Sequence, residues 1–157
     1  MRVGIGYDVH PLAEGRQLVL GGVRIDHPTG LAGHSDADVL THAVIDALLG
    51  AAGLGDIGKL FPSSDPKYKD ASSLALLSTA AVSVRSAGFR IVNVDSTVIA
   101  EEPRLQPHLH QMRDNIATSL KLGVALVSVK ATSPEGLGSL GRKAGIAAQA
   151  IALIEET

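Results

Sequence analysis

Short strand patterns and longer helical patterns alternate along almost the whole chain, and this order constrains the fold more than any other feature. The first strand pattern opens the chain, where Val3, Ile5, Tyr7 and Val9 alternate with small or polar residues. The complete order is a strand, a hairpin, two helices, a strand, a helix, a strand and a last helix. A single unit with this order predicts an α+β fold, with helices packed on one face of a mixed β-sheet.

Turn and cap residues predict the boundaries of these elements. A hairpin is predicted over 17–25, where Gly21 and Gly22 separate two apolar pieces. Ser35 is the predicted N-cap of a helix over 36–52, which Gly53 would end, and residues 53–66 are predicted to form a long loop. Further helices are predicted over 70–87, 106–121 and 140–155, and further strands over 91–100 and 124–132.

The second face of the predicted sheet is expected to be small and polar. The predicted registers place on it Gly4, Gly6, Asp8, Asn93, Asp95, Thr97, Ser128, Lys130 and Thr132. A face without helices of its own meets either solvent or another subunit, and closed ring-forming oligomers are a common arrangement. The residues alone leave both possibilities open.

Size and composition exclude several classes of protein. A chain of 157 residues is predicted to form a single domain, 1–157, and to bury about two thirds of its unfolded surface. Without cysteine it has no disulfides and no thiolate ligands. A net charge of −2 and very few aromatic residues argue against nucleic acid as a partner. No signal core or long apolar stretch is visible, so we expect a cytoplasmic protein without a membrane partner, or a plastid one if a transit peptide was removed.

Asp8, His10 and His42 form a candidate metal site. Residues at i and i+2 of a strand point to the same face, so Asp8 and His10 project together. His42 lies on the following helix, on one stripe with Asp38 and Asp46. One carboxylate and two imidazoles leave the fourth position of a zinc-like ion open for water or substrate, which is typical of catalytic sites. The alternative is a pair of ordinary half-buried histidines.

Two later segments have the composition of phosphate-binding sites. The glycines, hydroxyls and lysine of 55–65 can wrap an oxygen-rich ligand, although an ordinary surface loop is the alternative. Segment 130–142 places hydroxyls, cations and a helix start around Glu135, whose carboxylate a phosphate would repel unless a hard cation lay between them. This combination indicates a metal-bridged diphosphate. Residues 100–105 form a turn that could present backbone groups to a planar ligand.

Long motifs in the right order make the chain resemble the 2-C-methyl-D-erythritol 2,4-cyclodiphosphate synthase family of the non-mevalonate (MEP) pathway of isoprene biosynthesis. They are GYDVH at 6–10, LGGVRI at 20–25, GHSDADVLTHAVIDALLGAAGLGDIG at 33–58 and LFP at 60–62, followed by NVD, PHLHQMR, VKAT and GR. The resemblance covers essentially the whole chain. It implies a phosphorus-oxygen lyase that is a homotrimer, with active sites at subunit boundaries that each hold Zn²⁺ and a second divalent ion, Mg²⁺ or Mn²⁺.

The resemblance also implies a role for each matching residue. Asp8, His10 and His42 match zinc ligands, Glu135 matches the ligand of the second metal, and His34 and Ser133 match groups that assist the transition state. The implied substrate-binding residues, which include a cytosine pocket at 100–106, are Asp8, His10, His34, Ser35, Asp56, Ile57, Gly58, Phe61, Pro62, Ser63, Ser64, Asp65, Ala100, Pro103, Arg104, Leu105, Gln106, Thr132, Ser133, Pro134, Glu135, Ser139 and Arg142. Ser139 stands where the family often has an aromatic residue beside a cavity on the trimer axis.

The implied reaction is an intramolecular phosphoryl transfer. The 2-phosphate of 4-diphosphocytidyl-2-C-methyl-D-erythritol 2-phosphate attacks the β-phosphorus, expels CMP and closes 2-C-methyl-D-erythritol 2,4-cyclodiphosphate. Because the substrate supplies the attacking oxygen, the protein has to position it and neutralise charge. Two alternatives stay open at this point: a mononuclear zinc hydrolase of phosphate esters, and a trimeric binding module that holds a prenyl diphosphate around a structural zinc.

Overall fold

A mixed sheet of five strands, in the order β4-β1-β7-β5-β6, forms the centre of the molecule. The computed structural model describes residues 1–157. All pairs in this sheet are antiparallel except β5 with β6, so the predicted mixed sheet is confirmed. The predicted hairpin is also present, as a separate pair formed by β2 and β3. The strands are β1 (Arg2–Glu14), β2 (Leu18–Leu20), β3 (Val23–Ile25), β4 (Thr29–Leu31), β5 (Phe89–Ile99), β6 (Val127–Thr132) and β7 (Gly145–Glu156).

Helices cover one face of the sheet, as the sequence predicts. They are α1 (Val39–Ala52), α2 (Ile57–Leu60), α3 (Ser73–Ser86), α4 (Leu109–Leu120) and α5 (Gly138–Gly141). The central helix α1 packs against β1, β7 and β5, while α3 packs against α1 and α4 packs against β6. Fully buried residues such as Leu40, Leu48, Leu77 and Ile116 fill the space between these layers. None of the helices has the length and apolar character needed to cross a membrane.

The face of the sheet opposite the helices is more apolar than predicted. Val3, Ile5, Tyr7 and Val9 of β1 point to it and are 68, 71, 52 and 47% exposed. The prediction placed Gly4, Gly6 and Asp8 there, and it was wrong for these three residues, which face α1. The reason is close packing, because a Cβ atom at Gly4 or Gly6 would collide with the backbone of α1. Asn93, Asp95 and Thr97 alternate with buried neighbours as predicted.

Helix α1 begins later than the sequence predicts. Its N-cap is Asp38, not Ser35, and the Asp38 carboxylate accepts hydrogen bonds from the N–H and hydroxyl groups of Thr41. The same carboxylate accepts the N–H groups of Gly21 and Gly22 at 2.9 and 2.8 Å. Asp38 therefore ties the β2–β3 hairpin to α1, and its carboxylate is occupied by these contacts. Residues 53–66, predicted as loop, contain α2.

The predicted helix over 140–155 is wrong, because residues 145–156 form the strand β7. This strand lies between β1 and β5 and pairs with both along most of its length. Its alanines at 148, 150 and 152 are buried, whereas Gln149 and Ile151 are exposed, which is the period of two typical of a strand. Hydrogen bonding on both edges of a central strand outweighs the helix propensity of alanine.

Candidate active site

Three metal-ligating side chains meet where β1 faces α1. Asp8 Oδ2 lies 2.9 Å from His10 Nε2 and 3.0 Å from His42 Nδ1, and the two nitrogens are 3.3 Å apart. Ligand atoms about 2.0–2.1 Å from a tetrahedral zinc ion are roughly 3.3 Å from one another. Three such atoms within 4.8 Å of one another therefore fit a metal ion with one open position.

Two glycines of β1 bring the two halves of this triad together. Gly4 and Gly6 let β1 approach α1 so closely that Asp8, further along the same face of the strand, reaches His42 on the helix. His10 follows Asp8 by two residues and so points in the same direction. The geometry that the i, i+2 spacing predicts is therefore present, although the face of the sheet on which it occurs was predicted wrongly.

The outer nitrogen of each histidine ring has a polar partner. His10 Nδ1 is 2.8 Å from the carbonyl oxygen of Ala32, which directs His10 Nε2 towards the triad. His42 Nε2 is 3.1 Å from Ser35 Oγ and 2.9 Å from Ser73 Oγ. Metal-ligating histidines commonly make such a contact with the nitrogen that does not bind the ion. The donor set and its surroundings thus fit a zinc-like ion.

Opposite charges dominate the electrostatics of the triad. Burial raises the pKa of Asp8, but hydrogen bonds and charge interactions with His10 and His42 outweigh burial and hold this pKa well below its ordinary value. The hydrogen bond with Asp8 in turn raises the pKa of His10, against the opposing effect of burial. Asp8 is therefore ionised at neutral pH, which is the form that binds a metal ion.

The triad opens into a cavity of about 420 Å³. Most of the residues implied as substrate contacts in the first half of the chain line it, together with Tyr68 and Leu76, which the sequence did not single out. The lining residues are Asp8, His10, His34, Ser35, His42, Ile57, Gly58, Phe61, Pro62, Ser63, Ser64, Tyr68 and Leu76. Hydroxyl, imidazole and backbone groups converge here with the open side of the triad, an arrangement suited to a phosphorylated ligand.

Two acidic residues implied as substrate contacts lie beside this cavity without lining it. Asp56 caps α2 by accepting the N–H of Lys59 at 2.8 Å. The Asp65 carboxylate is paired with Lys67 at 3.0 Å, and the backbone carbonyl of Asp65 lies 3.4 Å from His34 Nε2. Both residues therefore shape the loop that carries the cavity wall.

Residues 100–106 and 132–142 form a second group, and none of them lines the cavity of the triad. The Glu101 carboxylate accepts hydrogen bonds from Ser133 Oγ at 3.2 Å and from the N–H of Gly136 at 3.1 Å. The backbone N–H of Glu135 donates to Ser133 Oγ at 3.0 Å. Because β7 lies between β1 and β5, this group and the triad are separated within one chain.

The members of the second group have different surroundings. Ala100 and Leu105 are buried, so their side chains serve packing, and the N–H of Ala100 donates to the carbonyl of Thr132 at 3.1 Å. Pro103 follows a cis peptide bond, and Gln106 begins a short 3₁₀ helix. Ser139 lies in α5, and Arg142 is its C-cap. The remaining predicted members, Arg104, Thr132, Pro134 and Glu135, lie in the same two segments.

Sequence reasoning missed residues that support the site without lining its cavity. Arg16 donates to the carbonyls of Leu31, Gly33 and Ser35 at 3.1, 3.3 and 2.9 Å, and so holds the segment that carries His34. Ser73 contacts His42 across 31 residues of sequence. No local pattern signals either contact, since both partners come from separate segments.

Comparisons with known proteins agree with this geometry. A model of the YgbB family matches residues 1–155. The 2-C-methyl-D-erythritol 2,4-cyclodiphosphate synthase of Syntrophomonas wolfei subsp. wolfei is 64% identical over 156 residues, 99% of each chain. The protein of the same name from Salinibacter ruber is 58% identical over 155 residues, again 99% of each.

Solved structures show the same fold. A CDP complex of IspF from Plasmodium falciparum aligns with a TM-score of 0.86 at 34% identity, over 99% of this chain and 96% of the other. The bifunctional IspDF of Campylobacter jejuni aligns with a TM-score of 0.95 at 46% identity. The alignment covers 99% of this chain, which spans 42% of that longer protein.

Proposed function

This chain belongs to the YgbB family, and we propose that it converts 4-diphosphocytidyl-2-C-methyl-D-erythritol 2-phosphate to 2-C-methyl-D-erythritol 2,4-cyclodiphosphate and CMP in the MEP pathway. The observation that carries the proposal is the open triad of Asp8, His10 and His42, in a chain 64% identical over its whole length to a synthase of that name. By reaction chemistry it would be a phosphorus-oxygen lyase formed by a single domain, 1–157.

Different residues of the chain contribute to different parts of the ring-closing reaction. In the reaction a P–O bond forms between the 2-phosphate and the β-phosphorus while the P–O bond to CMP breaks. His34 and Ser35 line the cavity beside the triad, where they can hold phosphate oxygens. Ile57, Gly58 and Phe61 form the wall that would surround the methylerythritol unit and exclude water. Positioning the two phosphates in this way supplies much of the rate enhancement in phosphoryl transfer.

Metal ions would neutralise the charge that accumulates on the two phosphates. The donor set of the triad suits Zn²⁺, and the Glu135 carboxylate suits a harder ion such as Mg²⁺ or Mn²⁺. When bound, such ions act as Lewis acids on phosphoryl oxygens. The Ser133 hydroxyl, next to Glu135, would then assist at the other phosphate.

The division of the site into two groups supports assembly as a homotrimer. The cytidine-binding and Glu135 segments do not line the cavity of the triad in one chain, so a neighbouring subunit would have to bring them to it. The exposed apolar residues of β1 offer a surface for such a contact. A CDP-bound IspF structure with the same fold supports the assignment of a cytidine nucleotide as ligand.

The activity is tested with purified protein, the cytidine substrate and Mg²⁺. We expect CMP release and a cyclic diphosphate in the phosphorus NMR spectrum from wild type and from Ser83→Ala, a control in which the lost hydroxyl contacts only Thr79 of its own helix. His42→Ala should be inactive. Inorganic phosphate in place of CMP would point instead to a hydrolase, and absence of turnover with zinc bound would point to a binding module.

Subunit sharing is tested by mixing two inactive variants. His42→Ala removes the triad and Glu135→Ala removes the second group, so neither variant should be active alone. If the site combines both groups from adjacent subunits, co-assembly at equal amounts should restore about one quarter of wild-type activity by random assortment. Mixed oligomers without activity would refute the shared site while leaving the reaction itself untouched.

A further inference from the structure

The nitrogen of His42 that points away from the triad contacts a fully buried serine. Ser73 Oγ lies 2.9 Å from His42 Nε2, at the start of α3, and has no exposure to solvent. Either atom could donate in this contact, since a serine hydroxyl both donates and accepts and a neutral imidazole has two tautomers. The other hydrogen-bond partner of Ser73 decides which of the two atoms donates.

That partner is the Asp36 carboxylate, which makes Ser73 a donor on its other side. Ser73 Oγ donates a hydrogen bond to Asp36 Oδ1, and the Ser73 N–H donates to Asp36 Oδ2 at 2.9 Å. Asp36 Oδ1 also accepts the N–H of Asp38 at 3.2 Å. Since an ionised carboxylate only accepts, the Ser73 hydroxyl proton is committed to Asp36 and its lone pairs face His42.

We propose that Ser73 and Asp36 are positioning residues that select the tautomer of His42 and orient its ring for the metal ion. With lone pairs facing it, His42 Nε2 has to carry a proton and donate it to Ser73. In the neutral ring that binds a metal ion, His42 Nδ1 then presents its own lone pair to the centre of the triad, where Asp8 Oδ2 lies 3.0 Å away. This inference rests on the metal site of the proposed function, and it assigns a relay from carboxylate through hydroxyl to imidazole.

The second hydroxyl near His42, that of Ser35, does not select a tautomer of the His42 ring. Ser35 Oγ lies 3.1 Å from His42 Nε2 and accepts the N–H of Ala37 at 3.2 Å. No carboxylate fixes its proton, so Ser35 imposes no direction on the contact. Ser35 also lines the cavity, where a bound phosphate would compete for its hydroxyl. Ser73, which does not line the cavity, keeps its role whether or not substrate is present.

Two variants and a control test the relay. Ser73→Ala removes the acceptor for His42. Each carboxylate oxygen of Asp36 accepts a backbone N–H. Asp36→Asn keeps the shape of the side chain, but in either orientation its NH₂ group would face one of these N–H donors. Ser83→Ala removes a hydroxyl from the same helix away from the site. Each metal-stripped full-length protein is titrated with Zn²⁺ against a chromophoric chelator, its melting temperature is measured without metal, and its Co²⁺ spectrum is recorded.

We expect Ser73→Ala and Asp36→Asn to bind zinc about 10- to 100-fold more weakly than wild type, the usual effect of losing an outer partner of a metal ligand. Their Co²⁺ d–d bands should also change, whereas Ser83→Ala should match wild type in both measurements. Unchanged zinc affinity in folded Ser73→Ala and Asp36→Asn, with only a lower melting temperature, would overturn the relay. Failure of the wild type itself to bind zinc would overturn the metal site, and the relay with it.

Discussion

Gly6→Ala should separate the two elements that carry the triad. An added Cβ would lie 2.8 Å from the carbonyl carbon of Ala43 and from the backbone nitrogen of Ala47, and closer still to the Ala43 oxygen. Ordinary contact begins at 3.4 Å, so α1 would have to retreat from β1 by at least the 0.6 Å difference between these values. A helix backbone cannot rotate away as a side chain can.

The cost of this change is large for one methyl group. Overpacking of a well-packed interior costs about 1–3 kcal/mol, and here the upper end applies because the colliding atoms belong to the backbone. Removing a strand glycine returns about 0.5–1 kcal/mol of backbone entropy. The free energy of unfolding should therefore fall by about 2 kcal/mol, a large part of the ~5–15 kcal/mol typical of a domain.

A matched control adds the same methyl group where there is room. Gly50, exposed and near the end of α1, has no atom closer than 3.9 Å to its added Cβ. Gly50→Ala should therefore stabilise the protein by about 0.5–1 kcal/mol, since alanine favours the helix. The free energies of unfolding of the two variants should therefore differ by roughly 3 kcal/mol, because Gly6→Ala should be less stable than wild type and Gly50→Ala more stable.

Urea unfolding at one fixed protein concentration measures this difference. With a slope of about 1–3 kcal/mol per molar, the midpoint of Gly6→Ala should fall by about 0.7–2 M with an unchanged slope. Zinc affinity should fall as well, because Asp8 and His42 lie on the two elements that separate. A Gly6→Ala protein with the midpoint and zinc affinity of Gly50→Ala would refute the close-packing argument.

Three further predictions concern residues around the cavity. Arg16→Lys should raise KM more than it lowers kcat, because an ammonium cannot reach the three carbonyls that the guanidinium holds. Steady-state kinetics would show this change, and an unchanged KM would contradict it. Asp46 Oδ1 accepts the N–H of Ile57 at 2.7 Å, so Asp46→Ala should loosen the cavity wall and raise KM, with zinc content unchanged by metal analysis. Burial raises the pKa of Asp46, so the folded state holds this proton to higher pH than the unfolded state, and the contribution of Asp46 to stability should fall as pH rises above about 4. Asp46→Asn, which keeps an acceptor for Ile57, should lose less stability across the same window in urea titrations, and parallel pH curves would count against this assignment.

The candidate metal ligands were predictable because their geometry is local. The two-residue spacing of Asp8 and His10 places both on one face of a strand, and the two residues meet at 2.9 Å. His42 was predicted to join them from the helix that follows, which it does. The outer partners were not predictable in this way. Asp46 shares the helix stripe of His42, but its carboxylate accepts the N–H of Ile57, and the residue beside His42 Nε2 is Ser73, from a separate helix.

The class of fold and the candidate ligand triad follow from the sequence alone, because periodicity and short spacings depend on neighbouring residues. The strand formed by residues 145–156 depends instead on long-range contacts, since its hydrogen-bond partners lie in β1 and β5. Only the tertiary structure decides which face of β1 is buried. Apolar alternation alone would bury Val3 and Ile5, but α1 packs so closely that only Gly4 and Gly6 fit beneath it, and the larger side chains point away.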